Sequence, residues 1–594
     1  MYGEILFGRE IVNNKDLAMS GNSHKRNRPL EKGIPAFPHA LICPLLLCLL
    51  TCGCGGNNAS PSPVLLSEVT AEAGLVENQR PWPRGTYQIP EISVGGLGLF
   101  DSDGDGTPEI YQVRYPEPGA SSEAAPNRLY RLARTGVYRE VAAADGLDDP
   151  GYGNGVAVGD IDNDGDLDVY VTNIGKDGLY LNEGGVFTRA PAAALVSSDD
   201  WSSSASFLDY DRDGDLDLFV CHYLRDNSSR LCRTSLKEKR DYCGPDKFQG
   251  VRDSLYRNEG NGRFSNVTVE AGISRALPGF GVICFDLTGD GWVDIYVAND
   301  MKPNQLWVNR RDGTFTDEAL ERGLALNGAG KQEAGMGVAL GDADGDGRLD
   351  LFITHLTDQT HTLYAAAETD SGLTYRDRSA SSGIGAKTLP MTGWGCGFLD
   401  LENDGDLDLV IAHGRVARGP VSPAADCGTF WNDYAESNQL FLNRGNGKYS
   451  LEKNRAGRFS IHAEVSRGIA FADIDNDGDT DLLQSNLGEG LRLFRNEAQD
   501  TGNHWLRVRA LIGLRDDLGA LVTLKTGKRT LKRPVLSSFS FACASEASVH
   551  FGLEKNRSID AITVRWSDGS IESFTADGVD RLLVLSKGEG ARKN

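Results

Sequence analysis

The chain is short of positive charge. Lys and Arg number 61 against 84 Asp and Glu, a formal net charge of −23. That balance argues against nucleic acid or an anionic membrane surface as the main partner, and suits a cation-binding or well-solvated protein. An apolar run long enough to span a bilayer is missing too: Ala40–Leu50 is too short. It follows Lys25, Arg26, Arg28 and Lys32 and precedes small residues around Cys52 and Cys54, as an export signal does. Residues 1–62 are therefore expected to be an export leader and linker, starting at Met1 or Met19. Cys52 and Cys54 are candidate points of lipid attachment, although Thr51 departs from the usual small residue before the cysteine. The expected location is periplasmic, cell-surface or secreted. Catalytic signatures are absent: there is no G-x-S-x-G, no H-E-x-x-H and no G-x-x-x-x-G-K-[ST]. Cysteine is sparse, 11 in all with four in the leader. Cys221, Cys232 and Cys243 cluster in one segment, where an exported protein would place a disulfide; pairing among these and Cys427 is open. Cys284 and Cys396 sit in apolar strands and read as buried thiols.

What the chain has in abundance is glycine, 71 residues, and one acidic motif, D-x-D-x-D-G-x-x-D. It occurs seven times. The acidic positions are Asp101, Asp103, Asp105 and Glu109; Asp160, Asp162, Asp164 and Asp168; Asp209, Asp211, Asp213 and Asp217; Asp286, Asp290 and Asp294, with Thr288 at position three; Asp342, Asp344, Asp346 and Asp350; Asp400, Glu402, Asp404 and Asp408; Asp473, Asp475, Asp477 and Asp481. Position six is always Gly. Position seven accepts Trp292 and Arg348, so its backbone carbonyl, not its side chain, is the group on offer. All-oxygen ligands on a flexible loop favour Ca²⁺ over transition metals and over Mg²⁺. Up to seven Ca²⁺ sites are expected, the fourth being the weakest. An EF-hand would need Glu at position twelve, where this chain has Val171 and Val220. The flanks, such as Asp168-Val-Tyr-Val and Asp350-Leu-Phe-Ile, are strand-like. Seven ions would take −23 to −9. Without them each loop crowds like charges, so folding and cation binding should be linked.

More than the loop repeats. A third strand follows each one, as in Gly178-Leu-Tyr-Leu-Asn182 and Gln439-Leu-Phe-Leu-Asn443, then a fourth, as in Phe315-Thr-Asp-Glu. Four strands per unit at motif spacings of 49 to 77 residues predict an all-β, seven-bladed propeller over residues 63–498. The seventh unit lacks its fourth strand, which Leu66-Ser-Glu-Val-Thr70 matches, so residues about 64–75 should close the ring. These units resemble FG-GAP/VCBS repeats, the calcium-loop blades also seen in integrin α-subunits.

Residues 499–594 read as a small β domain. From Asp500 onward the net charge is +4, leaving −27 on the rest. Asn503-His-Trp-Leu506, Gly519-Ala-Leu-Val, His550-Phe-Gly-Leu553 and Val564-Arg-Trp-Ser-Asp-Gly569 resemble the ASPIC/UnbV domain. Leu514–Gly519 departs from its usual Asn-Arg-x-Gly-x-Gly-Ala pattern. Propeller plus this domain is similar to the cartilage acidic protein family and its bacterial relatives, which implies an extracytoplasmic calcium-binding protein.

Two long insertions, about 222–252 and 414–437, fall on the face opposite the loops, where binding is expected. Arg114, Asn173, His222, Asn299, His355, His413 and Asn486 recur at one level there. They could ring a ligand or a transition metal, or simply cap strand ends, and capping is favoured. The expected function is an adhesion or binding module for a protein or glycan ligand. The alternative is an extracytoplasmic enzyme, a polysaccharide lyase or hydrolase, working on that same face.

Overall fold

The computed structural model describes residues 64–593 apart from 77–85, 117–124, 192–193, 195–198, 226–229, 231, 234–238, 261 and 371. The leader with Cys52 and Cys54 lies outside the described residues. The described helices are short turns of three or four residues, and strands make up the body of the chain.

Each acidic loop joins two antiparallel strands, and each unit adds two more. Blade two runs Gly153–Gly159, Asp168–Asn173, Gly178–Glu183 and Val186–Arg189. Seven such antiparallel sets occur. The innermost strands are Leu97–Phe100, Gly153–Gly159, Ser202–Leu208, Gly279–Phe285, Val338–Gly341, Gly393–Leu399 and Ser466–Ala472. Each packs on the next and the last packs on the first, so the sheets form a ring. Inner and second strands are buried on both faces, which is why they read as continuous apolar runs rather than alternating ones. The ring closes as the sequence predicts: Leu66–Glu68 pairs antiparallel with Arg492–Asn496 and completes blade seven.

The C-terminal region is built on His504–Ile512, which pairs antiparallel with Val549–Glu554 and parallel with Leu582–Ser586. A second sheet joins Leu521–Thr526 to Arg529–Pro534 and Ala561–Arg565. Its buried face is continuous with Ile161, Leu216 and other apolar residues of blades two and three. It therefore covers the loop end of the propeller. Gly552 shows how close the approach is: its N–H donates to Asp400 Oδ2 at 3.1 Å, and a Cβ would lie 2.1 Å from that oxygen and 2.4 Å from Asn403 backbone. Gly552→Ala is expected to cost about 1–3 kcal/mol through this clash. Urea unfolding of the variant, set beside a control at the exposed Lys528, Lys528→Ala, checks this.

One hairpin goes further. Ser538–Phe539 and Cys543–Ala544 form a finger that enters the middle of the ring. Ala544 pairs in parallel with Gly98 of blade one. Ser540 exchanges backbone hydrogen bonds with Val338 of blade five at 2.7 and 2.9 Å, and its Oγ accepts Cys396 N–H of blade six at 3.1 Å. Val156 N–H of blade two reaches Ala542 O, and Phe471 N–H of blade seven reaches Ser545 Oγ. Phe541 at the tip is fully buried against Trp394 and Phe280, ring centres 4.8 and 5.5 Å away. Inner-strand glycines make the room: a Cβ on Gly468 would sit 2.5 Å from Cys543 Sγ. Ser540 and Ala542 hold φ of 68° and 54°, conformations that packing must enforce on non-glycine residues.

At the opposite end the two insertions meet. Tyr434 Oη donates to Asp241 Oδ1 at 2.9 Å, and Arg418 N–H to Asp241 Oδ2 at 3.0 Å. Cys232 and Cys243 form a disulfide within the first insertion; Cys221, Cys284 and Cys396 are buried free thiols, and Cys427 is a half-buried one.

Candidate metal sites

The seven loops share one geometry, and it follows from the motif. Positions four and six both take left-handed φ: Gly104, Asn163, Arg212, Gly289, Gly345, Asn403 and Asn476 at four, and the seven glycines at six. Asn and Gly tolerate that region, and these two kinks turn the backbone about the carboxylates. The position-one carboxylate then accepts the position-six N–H through Oδ2 in every loop, as from Gly165 to Asp160 at 2.9 Å and from Gly347 to Asp342 at 3.0 Å. Position five caps the position-seven N–H in every loop.

Position nine has a structural task as well. It is buried in all seven loops. One of its oxygens accepts the position-two N–H, as Asp168 does from Ile161 at 2.9 Å. The other, in loops two to seven, accepts an N–H of the third strand, as Asp168 does from Asn182 at 2.8 Å. The third-strand asparagines add a bolt between blades: Asn182 donates to Ser102 O, Asn258 to Ile161 O, Asn309 to Tyr210 O and Asn443 to Ala343 O. The recurrent Leu-x-x-Asn at that strand was the signal for it in the sequence.

In five loops three acidic oxygens lie within 4.8 Å of one another. The sets are Asp101, Asp103 and Glu109; Asp160, Asp162 and Asp168; Asp209, Asp211 and Asp217; Asp342, Asp344 and Asp346; Asp473, Asp475 and Asp481. Among the described residues, loop four (Asp286, Thr288, Asp290, Asp294) and loop six (Asp400, Glu402, Asp404, Asp408) show no such convergence, and Asp105, Asp164, Asp213, Asp350 and Asp477 stand outside the sets. Burial, and behind it repulsion between neighbouring carboxylates, pushes Asp168 and Asp350 up to about 8 and Asp160 up to about 6. Burial also pushes Asp342 up to about 6, against the pull of Arg533. Asp162 Oδ1, Asp211 Oδ1, Asp342 Oδ1 and Asp344 Oδ1 are buried without any hydrogen-bond partner. Buried carboxylate oxygens do not stay unpartnered cheaply, and an all-oxygen set with free oxygens turned inward fits a hard divalent cation.

The polar ring at the far end resolves into local contacts. Asn173 Nδ2 donates to Lys176 O, Asn299 Nδ2 to Pro303 O and Asn486 Nδ2 to Gly490 O. Arg114 N–H donates to Asn127 Oδ1. His222 lies between Ser202 and Ser254. His413 Nε2 and His361 Nε2 are 3.2 Å apart, but His361 Nδ1 accepts His355 N–H. The His361 proton is therefore on Nε2, which donates to His413 and is no metal ligand. His355 is buried, neither ring nitrogen has a hydrogen-bond partner, and Glu333 Oε2 is 3.5 Å from Nε2. Burial lowers it to about 4. A folded-state value below the unfolded one, about 6.5, means stability present above pH 6.5 and lost as pH falls toward 4. His355→Gln is expected to remove about 3 kcal/mol of that acid-side loss. Unfolding curves of variant and parent at pH 7 and pH 4 measure it.

The FG-GAP-like repeat family matches residues 101–171, 160–220, 249–297, 286–353 and 428–483, and the ASPIC and UnbV family matches residues 513–592. Cartilage acidic protein 1 of Homo sapiens is 29% identical over 316 residues, 52% of this chain and 44% of the human protein. The Xenopus tropicalis protein of that name is 28% identical over the same length. The chain thus spans less than half the length of the curated relatives it matches. A solved Agrocybe aegerita lectin that recognises non-reducing terminal N-acetylglucosamine covers 63% of this chain and 89% of its own, at 16% identity and a TM-score of 0.35, a likeness on which nothing is built. With the repeats on its blades and the second family's match at its end, the chain is an FG-GAP-like repeat protein with a C-terminal ASPIC and UnbV domain.

Proposed function

We propose that this protein is a calcium-loaded propeller that works outside the cytoplasm as a binding module for a protein or glycan, through the face opposite its acidic loops. The observation that carries the calcium reading is the set of buried, unpartnered carboxylate oxygens inside loops two, three and five. The ions would lie among the position-one and position-three acids, joined by position nine in loops two and three and by position five in loop five, and neutralise charge that the fold has buried. The C-terminal domain covers the loop end, so the free surface for a ligand is the other end. There Arg418 lies 5.5 to 5.6 Å from the ring centres of Tyr87, Phe430 and Tyr434. Phe430 and Tyr87 are only half-buried, and aromatic faces beside a guanidinium suit sugar rings or peptide side chains. The Cys232–Cys243 bond supports an oxidising compartment, in keeping with the leader. Candidate lipid attachment at Cys52 or Cys54 stays part of this proposal.

Calorimetric titration of chelator-treated full-length protein with CaCl₂ tests the first part. Saturable binding that MgCl₂ does not displace is expected. Absence of both binding heat and retained metal after dialysis would sink it. Glycan and peptide arrays probed with calcium-loaded protein test the second, with Arg418→Ala expected to lose the array signal while keeping the melting profile.

A further inference from the structure

The C-terminal domain sits unevenly on the acidic loops. It touches loops two to seven one by one. Leu514 lies against Gly165, Arg515 donates to Gly214 O at 3.0 Å, and Arg565 pairs with Asp286 at 3.0 Å. Lys532 donates to Gly347 O at 2.6 Å, Arg533 to Gly405 O at 3.1 Å and Arg507 to Asp473 at 2.7 Å. Among the described residues no hydrogen bond or ion pair joins the domain to loop one, where Gly104 and Gly106 have open space about them.

The strand Leu582–Ser586 borders that gap. Among the described residues it pairs with His504–Ile512 alone, so it is a sheet edge. Arg507 N–H donates to Arg581 O at 3.1 Å and Lys587 N–H to Leu511 O at 2.9 Å, which fixes the phase of the ladder. In a parallel ladder alternate residues turn both backbone groups to the same side. Residues 581, 583, 585 and 587 therefore bond inward. The N–H and C=O of Leu582 and Val584 point outward, with no partner among the described residues. Edges are ordinarily blunted by charge, proline or a bulge. Leu582-Leu-Val-Leu-Ser586 has none of these, and Leu582 and Val584 are 47% and 49% exposed.

The register Arg507 to Leu582 and Arg509 to Val584 puts these side chains on one face of the sheet. Between that face and loop one lies a cavity of about 320 Å³, lined by Leu582, Phe100 and Leu518 together with Asp101 and Asp105. Arg507 and Arg509 line it too, but their guanidinium groups are engaged with Asp473, Glu546 and Asp516. Loop one keeps a negative balance, since its four acids outweigh Arg131 and one divalent ion together. Its Asp105 is exposed.

We propose that this edge docks an extended peptide segment of another protein, added as a strand along Leu582–Ser586. An apolar residue of the peptide covers Val584, and a lysine or arginine side chain enters the cavity toward loop one. The open backbone calls for a strand, the bare Leu582 and Val584 call for apolar side chains, and the acidic wall calls for a basic one. This site lies at the rim of the covered end, away from Arg418.

Fluorescence anisotropy of full-length protein in CaCl₂ tests it with two labelled peptides, Ser-Thr-Val-Lys-Val-Thr-Ser and the same sequence with Glu in place of Lys. The lysine peptide is expected to bind about tenfold more tightly than the glutamate one. Val584→Pro removes one outward N–H and leaves the inner ladder alone, so it should lose the binding and keep the parent's melting curve. Val584→Lys changes only an exposed side chain, and should weaken binding of the lysine peptide even if the proline variant misfolds. No binding of either peptide, equal binding of the two, or binding that the Val584 variants leave unchanged overturns the proposal. So does a parent dimer in sedimentation velocity that Val584→Pro makes monomeric, because a second copy would then hold the edge.

Discussion

Chelator-stripped protein is expected to unfold far below the temperature of the calcium-loaded form. An ion held at 100 times its dissociation constant stabilises the folded state by about 2.7 kcal/mol. Five converging loops would together contribute on the order of 10 kcal/mol, as much as the whole stability of an ordinary domain. The effect has to be this large because the carboxylates are already committed by the fold. Position nine is buried and, in loops two to seven, bonded both to its own loop and to the third strand, so an empty loop there cannot splay apart to relieve its charge without breaking the blade. The C-terminal domain should loosen with it, since Arg507 docks on Asp473. Differential scanning calorimetry with EDTA, with CaCl₂ and with MgCl₂ gives the comparison. Superimposable melting curves in EDTA and CaCl₂ would remove the basis for the proposed ions.

Phe541→Ala is the largest single-residue effect expected, a loss of about 3–5 kcal/mol. Phe541 is fully buried at the tip of the finger, against Trp394, Phe280 and Met336. The ring of inner strands is fixed by inter-blade hydrogen bonds and has no means of collapsing around the vacancy, which puts the cost at the upper end for such substitutions. Equilibrium urea unfolding measures it, with Phe574→Ala, partly buried in the C-terminal domain, as a smaller-effect control. A loss under about 1 kcal/mol would mean that the finger does not fill the ring in solution.

The propeller was legible because its signals are local and repeated. Asp–Gly spacing fixes each loop, period and length fix the strands, and the orphan segment Leu66–Thr70 announced ring closure. The pairing of Cys232 with Cys243 had to come from three dimensions, since spacing alone left several partners open. The finger was not legible for a similar reason. Ser537-Ser-Phe-Ser-Phe-Ala-Cys543 mixes serine with apolar residues as any half-buried strand does, and the finger's partners lie far away along the chain, Gly98 pairing with Ala544. A faint trace did exist. The inner strands begin with repeated glycine, as in Gly279-Phe-Gly281 and Gly393-Trp-Gly-Cys-Gly397, more than a propeller lined by its own side chains needs. The docking of the C-terminal domain had a coarser trace, a net +4 beside −27, but charge totals do not say which loops the arginines reach. The residues at the level of Asn173 and Asn299 were expected to cap strand ends, and Asn173, Asn299 and Asn486 do so through local carbonyls, whereas the contact of His413 with His361 of the neighbouring blade was not legible.

The finger also sets an order of events during biosynthesis. It follows all seven blades along the chain, so during translation the hollow lined by Trp394, Phe280 and Met336 waits for residues 538–544. A nascent chain halted before residue 538 would carry every blade and still leave that greasy bore open to water or to other nascent chains. Entry of the finger, rather than completion of the blades, is then the step that takes this apolar lining out of water.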